Sequence, residues 1–253
     1  MSWRPVDCHA HSTHSDGALT VAEVVERAAA HGTRPSVTDH ISHDAPTVVD
    51  SPSAVERYLD DLDQYDVLRG GEFCWHDTLW LELPPETVKR FTHRVGSLHS
   101  IKLAGGRWFR VFHRELPEGL TPAAYMEAHV SSLEALAREM PVDVFAHPTL
   151  VSPPLRELDP HELWSESHEE RLVTALHSAG IAFEISNRYR PHERIVRRAA
   201  EYGVRLSLGS DGHSRVQVAD VAHPLALARS LGVADADLYD PTRHGSRTGA
   251  FDE

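Results

Sequence analysis

Residues 178–186 read SAGIAFEIS: the close of a polar helix, a glycine, then a run of apolar and β-branched residues. The same order recurs at 30–38 (AHGTRPSVT) and at 201–209 (EYGVRLSLG). Glycine just past a helix followed at once by a strand is what a helix-to-strand turn in a parallel sheet requires. Working outward, seven strands are expected at Arg4–Cys8, Arg34–Thr38, Tyr65–Gly71, His93–Leu98, Val142–Ala146, Ile181–Ile185 and Val204–Leu208. Helical stretches fall between most of them, at 19–32, 51–62, 121–140, 159–180, 191–203 and 216–232. Strands alternating with helices predict an α/β fold, a parallel barrel rather than a doubly wound sheet, over residues 1–232. The polar residues 233–253 are expected to form a partly loose tail.

The bulk properties agree. The chain has 253 residues, 41% hydrophobic and 25% charged, which suits one large α/β domain. No stretch has the roughly 20 apolar residues of a membrane helix, and the first ten residues lack the apolar core of a signal peptide. Two cysteines, Cys8 and Cys74, cannot build a disulfide framework, so a reducing cytoplasm is expected. With 25 Lys and Arg against 38 Asp and Glu, the net charge of −13 disfavours long nucleic acid as a partner.

There are 19 histidines. Those in polar helical stretches (His31, His129, His161, His168 and His177) read as solvated surface residues. A second set falls where strands end, and in parallel barrels the strand ends meet at one mouth. The first strand is followed by His9, His11, His14 and Asp16, the second by Asp39 and His40, and the third by Glu72. The fourth leads to His99, the fifth to His147, and the seventh to Asp211 and His213. Imidazoles and carboxylates without thiolates suit Zn²⁺, Mn²⁺ or Fe²⁺. So many donors exceed one tetrahedral ion, and two or three divalent ions are expected, with Glu72 a natural bridge.

His9-x-His11, SDG at 15–17, TDH at 38–40, GGE ending in Glu72, GSLH ending in His99, AHP at 146–148 and SDGH at 210–213 together resemble the PHP (polymerase and histidinol phosphatase) superfamily. The resemblance spans residues 6–213. It implies a distorted, TIM-like (β/α)7 barrel in one domain, with His9, His11, Glu72 and Asp211 on a first ion. Glu72, His99 and His147 would hold a second ion, and Asp16, His40 and His213 a third. SDG favours Asp16 over His14 as the first-loop ligand, leaving His14 as a neighbour of the ligands or a substrate contact. The implied activity is hydrolysis of a phosphate ester by a hydroxide bridging the ions, with Asp211 or His213 passing a proton to the leaving group. The single-domain length and the short interval between Glu72 and His99 resemble the histidinol-phosphatase branch. L-histidinol phosphate is accordingly the leading small substrate. The alternatives are a phosphodiesterase or exonuclease on short oligonucleotides and a non-catalytic scaffold of the same fold.

Other residues carry local expectations. Asp39 and Asp7, next to candidate ligands, are expected to orient neighbours rather than bind metal. Cys8 and Cys74 are expected to point away from the site as buried fillers. Glu184 reads either as catalytic or as a barrel-interior acid paired with an arginine. The sixth strand offers Asn187, Arg188 and Arg190, whose guanidinium forks suit phosphate. A cationic stretch at 100–115, with Lys102, Arg107, Arg110 and His113 around the Gly105-Gly106 pair, is expected to form a lid in which Trp108 and Phe109 shield a site from water.

Overall fold

The computed structural model describes residues 3–246. Among these residues ten short strands form: β1 Ser36–Val37, β2 His40–Ile41, β3 Leu68–Arg69, β4 Glu72–Cys74, β5 Val95–Ser97, β6 Ser100–Lys102, β7 Trp108–Arg110, β8 Val144–Phe145, β9 Ala182–Ser186 and β10 Leu206–Gly209. A six-stranded parallel sheet runs β10-β9-β8-β5-β4-β2, and β1 pairs with β3 beneath β2 and β4. The expected second and third strands are thus each divided in two. Their bonding nevertheless runs on: Gly70 N donates to Val37 O (2.8 Å) and Glu72 N to Asp39 O (2.9 Å).

The ring closes through residues 6–11. Cys8 N donates to Leu208 O (2.8 Å) and His11 N to Gly212 O (3.0 Å) on one side. On the other, Arg34 N donates to Pro5 O (2.8 Å) and Thr38 N to Ala10 O (2.8 Å). The parallel bridges Val6–Arg34 and Ala10–Gly212 complete the circuit. The chain is therefore a single-domain α/β protein with a distorted, TIM-like barrel of parallel strands. The first expected strand takes part by backbone hydrogen bonds without forming a regular ladder.

The helix signals act as the chemistry predicts. Thr20 and Glu23 form a reciprocal capping box on Val21–His31, and Gly32 ends that helix at φ 67°. Gly180 ends Glu166–Ala179 in the same left-handed conformation. The expected helix at 159–180 is split into Pro160–Leu163 and Glu166–Ala179, and the one at 216–232 is confined to Ala222–Ser230. His129 corrects the surface reading of the helical histidines: it is buried within Pro122–Glu139, its ring stacked 5.7 Å from Tyr125.

Two expectations change. Residues 233–246 are not a loose tail: Leu238, Tyr239 and Asp240 are buried, Tyr239 N donates to Leu206 O (2.8 Å), and Arg34 pairs with Asp240 at 2.7 Å. The polar composition hid the few apolar residues that dock the segment; residues 247–253 lie outside those described. The stretch at 100–115 is an antiparallel hairpin, β6 with β7, in which Lys102 faces Trp108. Gly105 and Gly106, both at positive φ, make its turn.

Candidate metal centre

β4 places Glu72 at the middle of the mouth, where the side chain is buried. Its two oxygens face different groups of rings. Oε1 lies 3.3 Å from His99 Nε2 and 3.4 Å from His147 Nε2. Oε2 lies 2.7 Å from His40 Nδ1, 3.5 Å from His9 Nε2 and 3.6 Å from His11 Nε2. None of these approaches has hydrogen-bond geometry, so both oxygens are buried without a donor, as is His40 Nδ1. A buried, unpartnered carboxylate is costly, by several kcal/mol, unless something positive sits against it. Five imidazoles and an orphaned carboxylate are a donor set that fits divalent cations.

Three overlapping groups have donor atoms within 4.8 Å of one another: His9, His11 and Asp211; His40, Glu72 and His99; and His11, Asp16, His40 and His213. His147 joins through its contact with Glu72. His11 Nε2 is 3.1 Å from His9 Nε2 and 3.6 Å from Asp211 Oδ1. Asp16 Oδ1 is 3.2 Å from His213 Nε2 and 3.6 Å from His40 Nε2. All nine expected ligands thus meet at one mouth. His14 does not: its Nε2 bonds Asp61 Oδ2 at 2.8 Å, away from the cluster.

Burial governs the charges. It pushes His11 and His99 down to about 4, against the pull of Asp211 on the first and Glu72 on the second. Neutral rings with free lone pairs are what a cation needs. Burial would raise the Glu72 carboxyl, but His40, His99 and His9 hold it well below the usual range. Burial likewise opposes the ionised form of Asp16, yet His213 and His40 bring it to about 2. For His9, burial works to lower the pKa, while Glu184 and Glu72 together raise it well above the ordinary value.

Neither reading of Glu184 fits: among the described residues it pairs with no arginine, and it does not line the cavity. It is fully buried on β9, where Oε1 bonds His9 Nδ1 (2.8 Å) and Oε2 accepts from His147 N (2.5 Å). That bond fixes the His9 tautomer and turns Nε2 toward the cluster, as a carboxylate behind a ligand histidine does. Gly209 makes the room, because a Cβ there would lie 2.0 Å from Glu184 Oε1. His147 (φ 31°) and Asp211 (φ 49°) both occupy the left-handed region that non-glycine residues avoid, a strain typical of functional positions.

Asp39 and Asp7 brace the loops. Asp39 accepts from Ser12 N (2.8 Å), Ser12 Oγ (2.6 Å) and Ser15 Oγ (2.5 Å). Asp7 does the same for Ser210 N (2.8 Å) and Ser210 Oγ (2.6 Å). Cys8 is buried away from the cluster, but Cys74 is not: its Sγ lies 3.1 Å from His99 Nδ1 and it lines the cavity. Two residues from Glu72 on one strand, it shares that side chain's face.

The cluster forms the floor of a cavity of about 340 Å³. Of the expected substrate contacts only Arg188 lines it, with Nη1 2.5 Å from His213 Nδ1 and 3.6 Å from Asp211 Oδ1. Asn187 turns to the Asp220 carbonyl (3.0 Å), and Arg190 bonds back to Asn187. Lys102 and Arg107 are exposed on the hairpin and do not line this cavity. Sequence reasoning missed Tyr189, 5.5 Å edge-on to His147, and Phe112, 5.3 Å from the His99 ring. It also missed Asp44 at the rim, held by Arg110 and His76. These residues come from loops whose course no spacing rule predicts.

Fold and cluster together define a TIM-like barrel with histidine–carboxylate groups suited to metal ions at its mouth. No family model and no curated protein matches the sequence. Among solved structures, the chain is similar to histidinol phosphate phosphatase from Lactococcus lactis subsp. lactis complexed with zinc, L-histidinol and phosphate. The TM-score is 0.67 at 17% identity, covering 94% of this chain and 95% of that one. It is also similar to a candidate histidinol phosphatase from Listeria monocytogenes, with TM-score 0.71 at 13% identity over 86% of this chain and 98% of that one. At these identities the likeness shows the shared fold. No helix among the described residues is long and apolar enough to cross a membrane.

Proposed function

We propose that the protein is a metal-dependent phosphoesterase acting on a small phosphomonoester. The observation that carries this reading is Glu72, a buried carboxylate whose two oxygens each face a separate set of imidazoles and have no hydrogen-bond donor. His9, His11, Glu72 and Asp211 would hold one ion, Glu72, His99 and His147 a second, and Asp16, His40 and His213 a third. Bound Zn²⁺, Mn²⁺ or Fe²⁺ would neutralise phosphoryl oxygens and lower the pKa of a water to about 7, the demands of a reaction that is extremely slow unaided.

The chain's own side chains do the rest. Arg188 reaches over the cluster to grip phosphoryl oxygens, its guanidinium 5.3 Å from the centre of the Tyr189 ring. Phe112 and Tyr189 narrow the mouth and exclude water from the phosphoryl group. Glu184 holds His9 in register, and Asp211 or His213 would relay to the leaving alkoxide the proton given up by the attacking water.

L-histidinol phosphate is the substrate to test first, supported by the sequence resemblance and by the ligands of the Lactococcus protein. The test is phosphate release from L-histidinol phosphate, sugar phosphates, mononucleotides and dinucleotides, after loading with manganese or zinc. Metal-dependent release from monoesters is expected. Inertness toward every monoester with metal demonstrably bound would overturn the reading.

A further inference from the structure

A second cavity, of about 410 Å³, adjoins the metal cavity and shares two residues with it, Arg188 and Tyr189. Its chemistry differs. Buried Leu155 and Trp164 form apolar wall. The charged lining is cationic throughout: Arg156, Arg188 and Arg190, with no carboxylate among the lining residues. In a chain with net charge −13, most surface arginines have found acidic partners, as Arg90 and Arg171 have. Arg156 and Arg190 have none among the described residues. Arg156 donates to Val151 O (2.7 Å), and Arg190 is engaged by Asn187.

The partition between the cavities is Tyr189. The Arg156 guanidinium lies 5.5 Å and that of Arg188 5.3 Å from the centre of the Tyr189 ring, so each cation packs against it. His192, also in the lining, has both ring nitrogens buried without a hydrogen-bond partner. Behind it lies Glu169, 3.5 Å from Nε2 and engaged by Arg194 and Arg198. Two guanidiniums with no carboxylate partner among the described residues, beside the His192 ring and an apolar wall, describe a receptor for an anion on an apolar body.

We propose that this cavity is the leaving-group subsite, and that the preferred substrate is a phosphomonoester whose leaving group carries a second anion, carboxylate or phosphate, on an apolar or aromatic body. The phosphoryl group would lie in the metal cavity under Arg188, with the remainder passing Tyr189 to reach Arg156 and Arg190. The inference rests on the phosphoesterase reading for its substrate language, and it ranks anionic leaving groups above the cationic one of L-histidinol phosphate.

Matched aryl phosphates test it: phenyl phosphate, 4-carboxyphenyl phosphate, 1,4-phenylene bisphosphate and 4-(aminomethyl)phenyl phosphate, on the metal-loaded enzyme. The carboxylate or the bisphosphate should exceed phenyl phosphate in kcat/KM by about tenfold, chiefly through KM, and the better of the two identifies the anion. In R156Q and R190Q that ratio should fall toward one. A wild-type ratio near one, a preference for the aminomethyl compound, or a ratio untouched in both variants would overturn the proposal. Binding provides a readout independent of turnover: calorimetric titration of the chelator-treated protein with benzoate should show weak affinity that R156Q reduces. No benzoate binding defeats the subsite. Benzoate binding without turnover of any ester defeats the phosphoesterase reading and leaves the subsite standing.

Discussion

The two ends of the barrel treat buried charge in opposite ways. At the bottom, charges are paired. Asp143 accepts from Arg94 N (2.7 Å) and Ser246 Oγ (3.0 Å), with Arg94 Nε 3.8 Å away, and Asp240 takes Arg34 and Thr242. At the mouth, Glu72 is buried with neither oxygen hydrogen-bonded, imidazole rings crowd within about 4 to 6 Å of one another, and His147 and Asp211 hold strained backbone. The bottom spends its polar groups on the fold, whereas the mouth keeps them for a ligand. That division is what a barrel expects, with stability at one face and chemistry at the other.

The sharpest way to break this comparison is to empty the mouth. Replacing His9 and His11 together with alanine should cut phosphate release at least 10³-fold while the chain stays folded by circular dichroism; unchanged turnover would refute the metal reading. Next comes the bottom: Asp143→Ala removes a buried carboxylate that accepts from Arg94 N and Ser246 Oγ, and should cost about 3 kcal/mol in urea unfolding, with kcat/KM of the surviving folded enzyme close to normal. A large loss of kcat/KM in that variant would show that the two ends are not separate. Metal removal should act from the other direction. A tightly chelated protein is expected to lose about 3 kcal/mol relative to protein held at 100 times the dissociation constant, seen as a lower melting temperature. Glu184→Gln tests the support behind His9, with metal affinity expected to drop 10- to 100-fold as read by competition with a chromophoric chelator.

The smallest effect is in the pH dependence of the core. Burial pushes His93 down to about 4 and His129 down to about 3. The unfolded chain takes up these protons near 6.5, and the folded chain does not until far lower pH. Their contribution is therefore complete above pH 6.5 and is lost as pH falls toward 4, on the order of 1 kcal/mol per pH unit for each ring. Urea midpoints of chelated protein should drop between pH 7 and pH 5, and His129→Gln should narrow that drop. An unaltered gap in the variant would mean that His129 is not the cause.

Much of the site was legible because ligand chemistry leaves short, local marks. His9-x-His11, TDH and SDGH each put a donor beside a strand end, and strand ends converge whatever the loops do. What escaped was set by contacts across the barrel. Glu184 was visible as an acid within β9, but its partners His9 and His147 lie far away in sequence. Cys74 was misread through its nearness to Glu72, since a spacing of two on a strand means a shared face. Arg188 and Arg190 look equivalent in the sequence, yet the loop after β9 turns one over the metal cavity and the other toward its neighbour.

The sequence by itself determined the order of helices and strands, the parallel arrangement and the nine donors at the mouth, because these follow from local periodicity, glycine stops and residue chemistry. Tertiary structure alone decided the hairpin at 100–110, the docking of residues 233–246, the retreat of His14 to Asp61 and the placing of Glu184 behind His9. Each of those depends on which surfaces meet across the closed ring, and no local spacing encodes that.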